Sequence, residues 1–311
     1  MKTDDEEAVT KSKQNLATIK MLESDTNPTK QDFETYLQGA ELGQEAGQLA
    51  TAECYLNGWG VAKDVEKAIY WFKEAAKQGN LDAQTSLGII YTDGQLVPSD
   101  LKLAKYWLSA PVAAADTTAL AYMGHVLYQE GNFNEALSYI RQASNLGSKD
   151  AMRTLALMYW AGQGVEVNYA EALRYAKAAR DMNPYTQFIY AMFVAQGVGT
   201  PADHATARDI FLQVYKNTPD EAFLPHMGFS RDIIAEQLGD CYISLDSFKK
   251  ALEWYQTADL PRSWYQIGYI YASGKLGYTD SASAKKYMQK AARQNDVLDV
   301  KKKAQEALKA L

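Results

Sequence analysis

Side chains that carry chemistry are scarce in this chain. Its 311 residues hold two cysteines, Cys54 and Cys241, and three histidines, His125, His204 and His226. No histidine belongs to an HExxH motif or has a second histidine at helical spacing, so the sequence offers no metal site. Each cysteine follows an acid, Glu53 or Asp240, which raises a thiol's pKa and argues against an activated nucleophile. The two lie in distant parts of the chain, so a disulfide between them is not expected. A G-x-S-x-G elbow and a G-x-x-x-x-G-K-[ST] phosphate loop are both absent. No catalytic residue, cofactor or metal is therefore assigned.

Positive charge is also short. Thirty-two Lys and Arg against 38 Asp and Glu leave a net charge of −6 and a pI near 5.3. A nucleic-acid binder that tracks phosphates needs a basic stripe, so that partner class is excluded. No apolar run reaches the ~18 residues of a membrane span. Residues 1–24 are polar and lack the apolar stretch of a signal peptide. The expected location is periplasmic if the chain is a mature form, and otherwise cytoplasmic.

What the chain does contain is a recurring pattern. Tyr55, Tyr91, Tyr159 and Tyr271 are each followed 13 residues later by an alanine (Ala68, Ala104, Ala172, Ala284), with an aromatic 3 further on (Trp71, Trp107, Tyr175, Tyr287). Gly58, Gly94, Gly162 and Gly274 lie three residues after the tyrosines, where a helix ending in a left-handed residue needs glycine. This is helix, glycine loop, helix, repeated. A weaker copy has Val194, Gly197, Gly199 and Ala207, and two copies lack the long loop: Tyr128 runs into Ala136, and Tyr242 into Ala251.

At Leu87-Gly88 with Tyr91, at Ile267-Gly268 with Tyr271, and from Tyr55 through Asp64, Lys67 and Ala68, the chain resembles the Sel-one-like repeat family, a relative of the tetratricopeptide repeats. The resemblance covers about residues 44–293. It implies an all-α fold, a right-handed α-solenoid of stacked helix-turn-helix repeats. Residues 1–27 read as a polar N-terminal segment in which Val9, Leu16, Ile19 and Leu22 could form one amphipathic helix. Residues 28–296 read as a half repeat plus about seven helix pairs, with an insert near 217–231. Residues 297–311 read as a capping helix. Asn27-Pro28 signals a helix start, Gly43 and Gly47 a break, and Pro111 the end or kink of a second helix.

The resemblance also implies that residues six and two before the signature tyrosine, and one after it, face a binding groove. With Tyr128 as the third signature, that register gives Tyr122, Val126 and Gln129 there. Elsewhere it selects Thr85, Ile89 and Thr92, then Arg153, Leu157 and Trp160, then Phe188, Met192 and Ala195, then Glu236, Asp240 and Ile243, and finally Tyr265, Tyr269 and Ala272. Tyr122, Arg153, Trp160, Phe188, Met192, Tyr265 and Tyr269 are of the types that anchor protein interfaces, so a protein or peptide partner is expected. Family relatives imply a non-catalytic scaffold or adaptor. Narrower alternatives are a bacterial immunity protein that neutralises a secreted toxin or effector enzyme, and a glycan or cell-wall binder using exposed aromatics such as Trp160. Burial of the stripe by tight superhelical curvature is the competing reading.

Overall fold

The computed structural model describes residues 27–219, 230–294 and 298–310. These form sixteen helices, with no strand among the described residues: α1 Lys30–Glu41, α2 Glu45–Asn57, α3 Val65–Lys77, α4 Leu81–Asp93, α5 Leu101–Ala113, α6 Thr117–Gln129, α7 Phe133–Asn145, α8 Lys149–Ala161, α9 Tyr169–Ala179, α10 Pro184–Gln196, α11 His204–Asn217, α12 Arg231–Ser244, α13 Phe248–Ala258, α14 Pro261–Ala272, α15 Ser281–Ala292 and α16 Leu298–Ala310. They divide into two compact units, residues 1–151 and 152–311. Within each, consecutive helices pack in pairs and each pair packs on the next, as in a helical solenoid.

One backbone hydrogen bond defines the repeat. The N–H of the residue that caps the second helix donates to the carbonyl of the signature residue: Asp64 to Tyr55 (2.9 Å), Asp100 to Tyr91 (2.9 Å), Asn168 to Tyr159 (2.9 Å), Asp203 to Val194 (3.0 Å), Ser247 to Tyr242 (2.8 Å) and Asp280 to Tyr271 (3.0 Å). In the long-loop repeats the capping side chain also accepts an N–H of its own first turn, as Asp64 does from Lys67 and Asp203 from Thr206. In the third repeat Asn132 donates to Leu127 (2.9 Å), not to Tyr128. The signature residue there is Leu127, one position earlier than the tyrosine suggests.

Steric fit gives the same register. Three residues before the signature stands a small residue, Ala52, Gly88, Gly124, Ala156, Ala191, Gly239 or Gly268. A Cβ at Gly88, Gly124, Gly239 or Gly268 would run into Leu108, Ile140, Tyr255 or Met288, each four residues after the second-helix alanine. The two helices can approach closely only where that side chain is missing or minimal.

The loop glycines Gly58, Gly94, Gly162, Gly197 and Gly274 have φ between 66° and 79°, the left-handed region where a Cβ is strained. In the long loops a second glycine admits the previous second helix. A Cβ at Gly60 would strike the carbonyl of Thr29, and one at Gly199 that of Tyr169. By this contact the start of α1 stands against the first loop as the start of α9 stands against the fifth.

Some boundaries differ from those read in the sequence. Thr29, not Asn27, caps α1, through a capping box with Asp32. Gly47 does not break a helix: it lies inside α2, where a Cβ would meet the backbone of Gly39 and Ala40. Pro111 does not end α5, which runs on to Ala113, because a proline in the last turn removes only one helical hydrogen bond. The possible helix of residues 9–22, and residues 220–229 of the insert with His226, lie outside the described residues.

Candidate partner-binding face

In residues 152–311 the first helices of successive pairs are α8, α10, α12 and α14. Trp160 and Tyr269 are 43% and 46% exposed on this series, a large apolar area left in water for side chains of their size. Trp160 leans on Phe193 at 6.1 Å between ring centroids. Met192 is half-buried and packs on the core beneath α10. Arg153 is half-buried, with its guanidinium 5.5 Å from the centre of the Tyr185 ring. Tyr265 is half-buried against Trp264, Met288 and the terminal helix residues Val300 and Ala304.

Two of the seven groove residues are corrected. Phe188 is 7% exposed and packs on Phe211 (5.6 Å), Val214 and Ile234, so it belongs to the core. Its own pair partner, α11, covers it together with α12 of the next pair. Tyr122 is displaced by the one-residue register error: the third repeat places Ala121, His125 and Tyr128 at the groove positions, and Val126 is fully buried. Tyr122 itself is half-buried one step around α6. His125 contacts Gln129 through its Nε2 at 2.8 Å, and Tyr128 stacks edge-on against Phe133 (5.2 Å).

The groove register also selects Glu236 and Asp240, but where α12, α13 and α14 meet these two acids are taken up in a polar cluster whose donors, Tyr255, Arg262 and Ser263, the sequence reading did not single out. Asp240, two before the signature Tyr242, accepts from the Tyr255 hydroxyl (2.6 Å) and from Arg262 Nη2 (2.7 Å). Glu236, six before, accepts from Ser263 Oγ (2.9 Å) and pairs with Arg262 Nη1 (3.2 Å). Burial opposes the Arg262 charge, but Asp240 and Glu236 outweigh it and raise the guanidinium's pKa. Burial and the Asp240 carboxylate hold the Tyr255 phenol far above its ordinary value. Each acid here has its donors, so the cluster locks a repeat junction and offers no poised base. The signal lay in comparing positions between repeats, since none of these residues belongs to a repeat consensus.

Both cysteines are free and buried, and burial followed by the neighbouring acid raises each thiol to about 12. Among the described residues no group of His, Cys, Asp and Glu side chains could hold a metal, and no helix is long and apolar enough to cross a membrane.

The Sel1 repeat family model matches residues 46–80, 81–110, 117–148, 149–184, 235–258 and 263–296. The pair α10/α11, apart from its first residue Pro184, lies outside these matches but keeps the Asp203-to-Val194 clamp. A Neisseria meningitidis protein is 26% identical over 225 residues, covering 72% of this chain and 48% of its own length, so the chain spans about half of that relative. The Sel1-repeat-containing protein YjcO of Escherichia coli is 28% identical over 184 residues, covering 56% of this chain and 76% of its own. Among solved structures, a protective antigen of uropathogenic Escherichia coli superposes with a TM-score of 0.72 at 24% identity, over 97% of this chain and 64% of its own. A Sel1 repeat protein from Oxalobacter formigenes gives 0.54 at 25% identity, over 90% of this chain and 80% of its own. With helix pairs clamped in one register and family matches over most of its length, this chain belongs to the Sel1 repeat family.

Proposed function

We propose that the chain is a non-catalytic scaffold that holds a protein or peptide partner on the first-helix face of residues 152–311. The repeat fold typically mediates protein–protein interaction. The observation that carries the reading is the exposure of Trp160 and Tyr269 on that face. Large aromatics at the surface supply rigid contact area at little entropic cost, which is why they dominate interface energetics. Met192 and the cation–π pair of Arg153 with Tyr185 flank them in the same register.

The test is affinity capture from the native host with wild type and with Trp160→Ala/Tyr269→Ala, read by mass spectrometry. A dominant partner lost in the double variant, with helical circular dichroism unchanged, supports the reading. A partner retained by the double variant overturns this face as the site. A captured toxic enzyme would narrow the role to immunity. A glycan retained by wild type and lost by Trp160→Ala, with no protein captured, would replace a protein partner by a sugar.

A further inference from the structure

In each helix pair the second helix carries a side chain, four residues after its alanine, that its own first helix covers. Phe72, Leu108, Ile140, Phe211, Tyr255 and Met288 hold this place, and none is more than 2% exposed. Counting from the cap locates the same place in α1. Thr29 caps it, Phe33 stands where the alanines stand, and Leu37 follows four later. Leu37 is only half-buried, and no described helix precedes α1 to cover it.

The sequence before α1 carries the first-helix pattern at the distance a long-loop repeat demands. In those repeats the cap follows the signature by nine positions, as Asp100 follows Tyr91 and Asp280 follows Tyr271. Nine before Thr29 stands Lys20. Leu16, Ala17 and Ile19 lie four, three and one before Lys20. The second repeat has Leu87, Gly88 and Ile90 at these places and the seventh Ile267, Gly268 and Ile270, all buried. Ala17 is then matched with Leu37 as Gly88 is with Leu108 and Gly268 with Met288.

We propose that residues 10–20 form the first helix of this pair and dock on α1, with Leu16, Ala17 and Ile19 against Leu37. Removing these apolar side chains from water drives the docking. Three departures make the pair weaker than its neighbours. Lys20 replaces the apolar signature, and Glu23 stands where the loop glycine accepts a left-handed backbone. Phe33 replaces the alanine, and its ring is turned edge-on to Tyr55 of α2 at 5.2 Å.

The test is a cysteine pair in the full chain, Ala17→Cys/Leu37→Cys, oxidised under native conditions and mapped by peptide mass spectrometry. A Cβ at Gly88 would press on the Leu108 side chain, so the matched positions lie within the reach of a disulfide. The native Cys54 and Cys241 are buried and stay in place. An intrachain link between positions 17 and 37 is expected, at least ~5-fold above the yield from Thr18→Cys/Leu37→Cys, whose cysteine is turned about 100° around the helix. Equal yields from the two variants, or a link between two chains in place of one within a chain, would overturn the proposal. Should the variants not fold, hydrogen exchange on the unmodified chain decides. The amides of residues 14–20 are expected to exchange at least ~10-fold more slowly than those of residues 3–8, since a helix this short is marginal in water unless it docks. Equal exchange in the two stretches would overturn the proposal as well.

Discussion

The junction between the sixth and seventh repeats and that between the first and second put carboxylates at the same backbone position and give them opposite surroundings. Asp240 is held by a phenol and a guanidinium, and Glu236 beside it by a hydroxyl and the same guanidinium. Glu53 has the charge of another acid, Asp82, near it, and Phe72, Ala83 and Leu49 stand at the repeat positions that Tyr255, Ser263 and Glu236 hold at the later junction. The helices pair alike at both junctions, because close packing depends on the small residue three before the signature and on the capping N–H, which both junctions have. Electrostatics at these positions is thus free to differ without changing the fold. A repeat protein can keep one backbone and vary charge junction by junction.

The largest effect is expected from emptying the later junction. Arg262→Ala leaves Glu236, 8% exposed, and Asp240 without their cation. Breaking a buried pair costs about 3–5 kcal/mol. The Arg262 side chain is 42% exposed, and solvent screening reduces the expected loss to about 2–3 kcal/mol. Urea unfolding checks this, and a loss under ~0.5 kcal/mol would mean that the cluster does not lock the junction.

Next comes the pH dependence of the earlier junction. Glu53 holds its proton in the folded chain at pH values where the unfolded chain releases it. That contribution to stability is present below the ordinary carboxylate range and is lost as pH rises through about 7. Glu53→Gln is therefore expected to have little effect on stability at pH 5 and to stabilise by about 2 kcal/mol at pH 8. Thermal melts at both pH values decide it; an equal effect at both would show that Glu53 ionises normally.

A smaller loss follows from Tyr255→Phe, which makes the later junction more like the earlier one. Asp240 loses one donor and keeps Arg262, for an expected cost of about 1–2 kcal/mol. The reverse change, Phe72→Tyr, brings a hydroxyl toward Glu53. Its expected gain is below ~1 kcal/mol, and the clearer readout is a fall in the Glu53 pKa followed by carboxyl NMR. No fall would mean that the two second-helix positions do not reach their carboxylates alike.

The third repeat shows where reading the sequence goes wrong. Tyr128 stands where an eye trained on Tyr55 and Tyr91 looks for the signature, yet Gly124 fixes Leu127 three residues later, and the Asn132 N–H confirms it. With the loop shortened, only contact geometry separates adjacent positions on a helix 100° apart. Phe188 failed for another reason. Its periodicity matches Trp160 and Tyr269, but exposure depends on what neighbouring helices lay over it, and here Phe211 and Val214 of α11 and Ile234 of α12 do so.

Helix content, loop chemistry and the order of the pairs follow from the sequence alone. They rest on local rules: glycines for left-handed turns, Asp or Asn caps, and apolar residues at helical spacing. The terminal helix was legible in the same way, with Val300 and Ala304 packed inward. Which aromatics reach solvent, which register the third repeat takes, and which acids find a cation were decided by tertiary structure. The surroundings of the acids, for instance, belong to pairs of residues 22 to 29 positions apart, such as Asp240 with Arg262 or Glu53 with Asp82. No local pattern specifies whether such residues meet, because the distance between them is set by how neighbouring repeats stack.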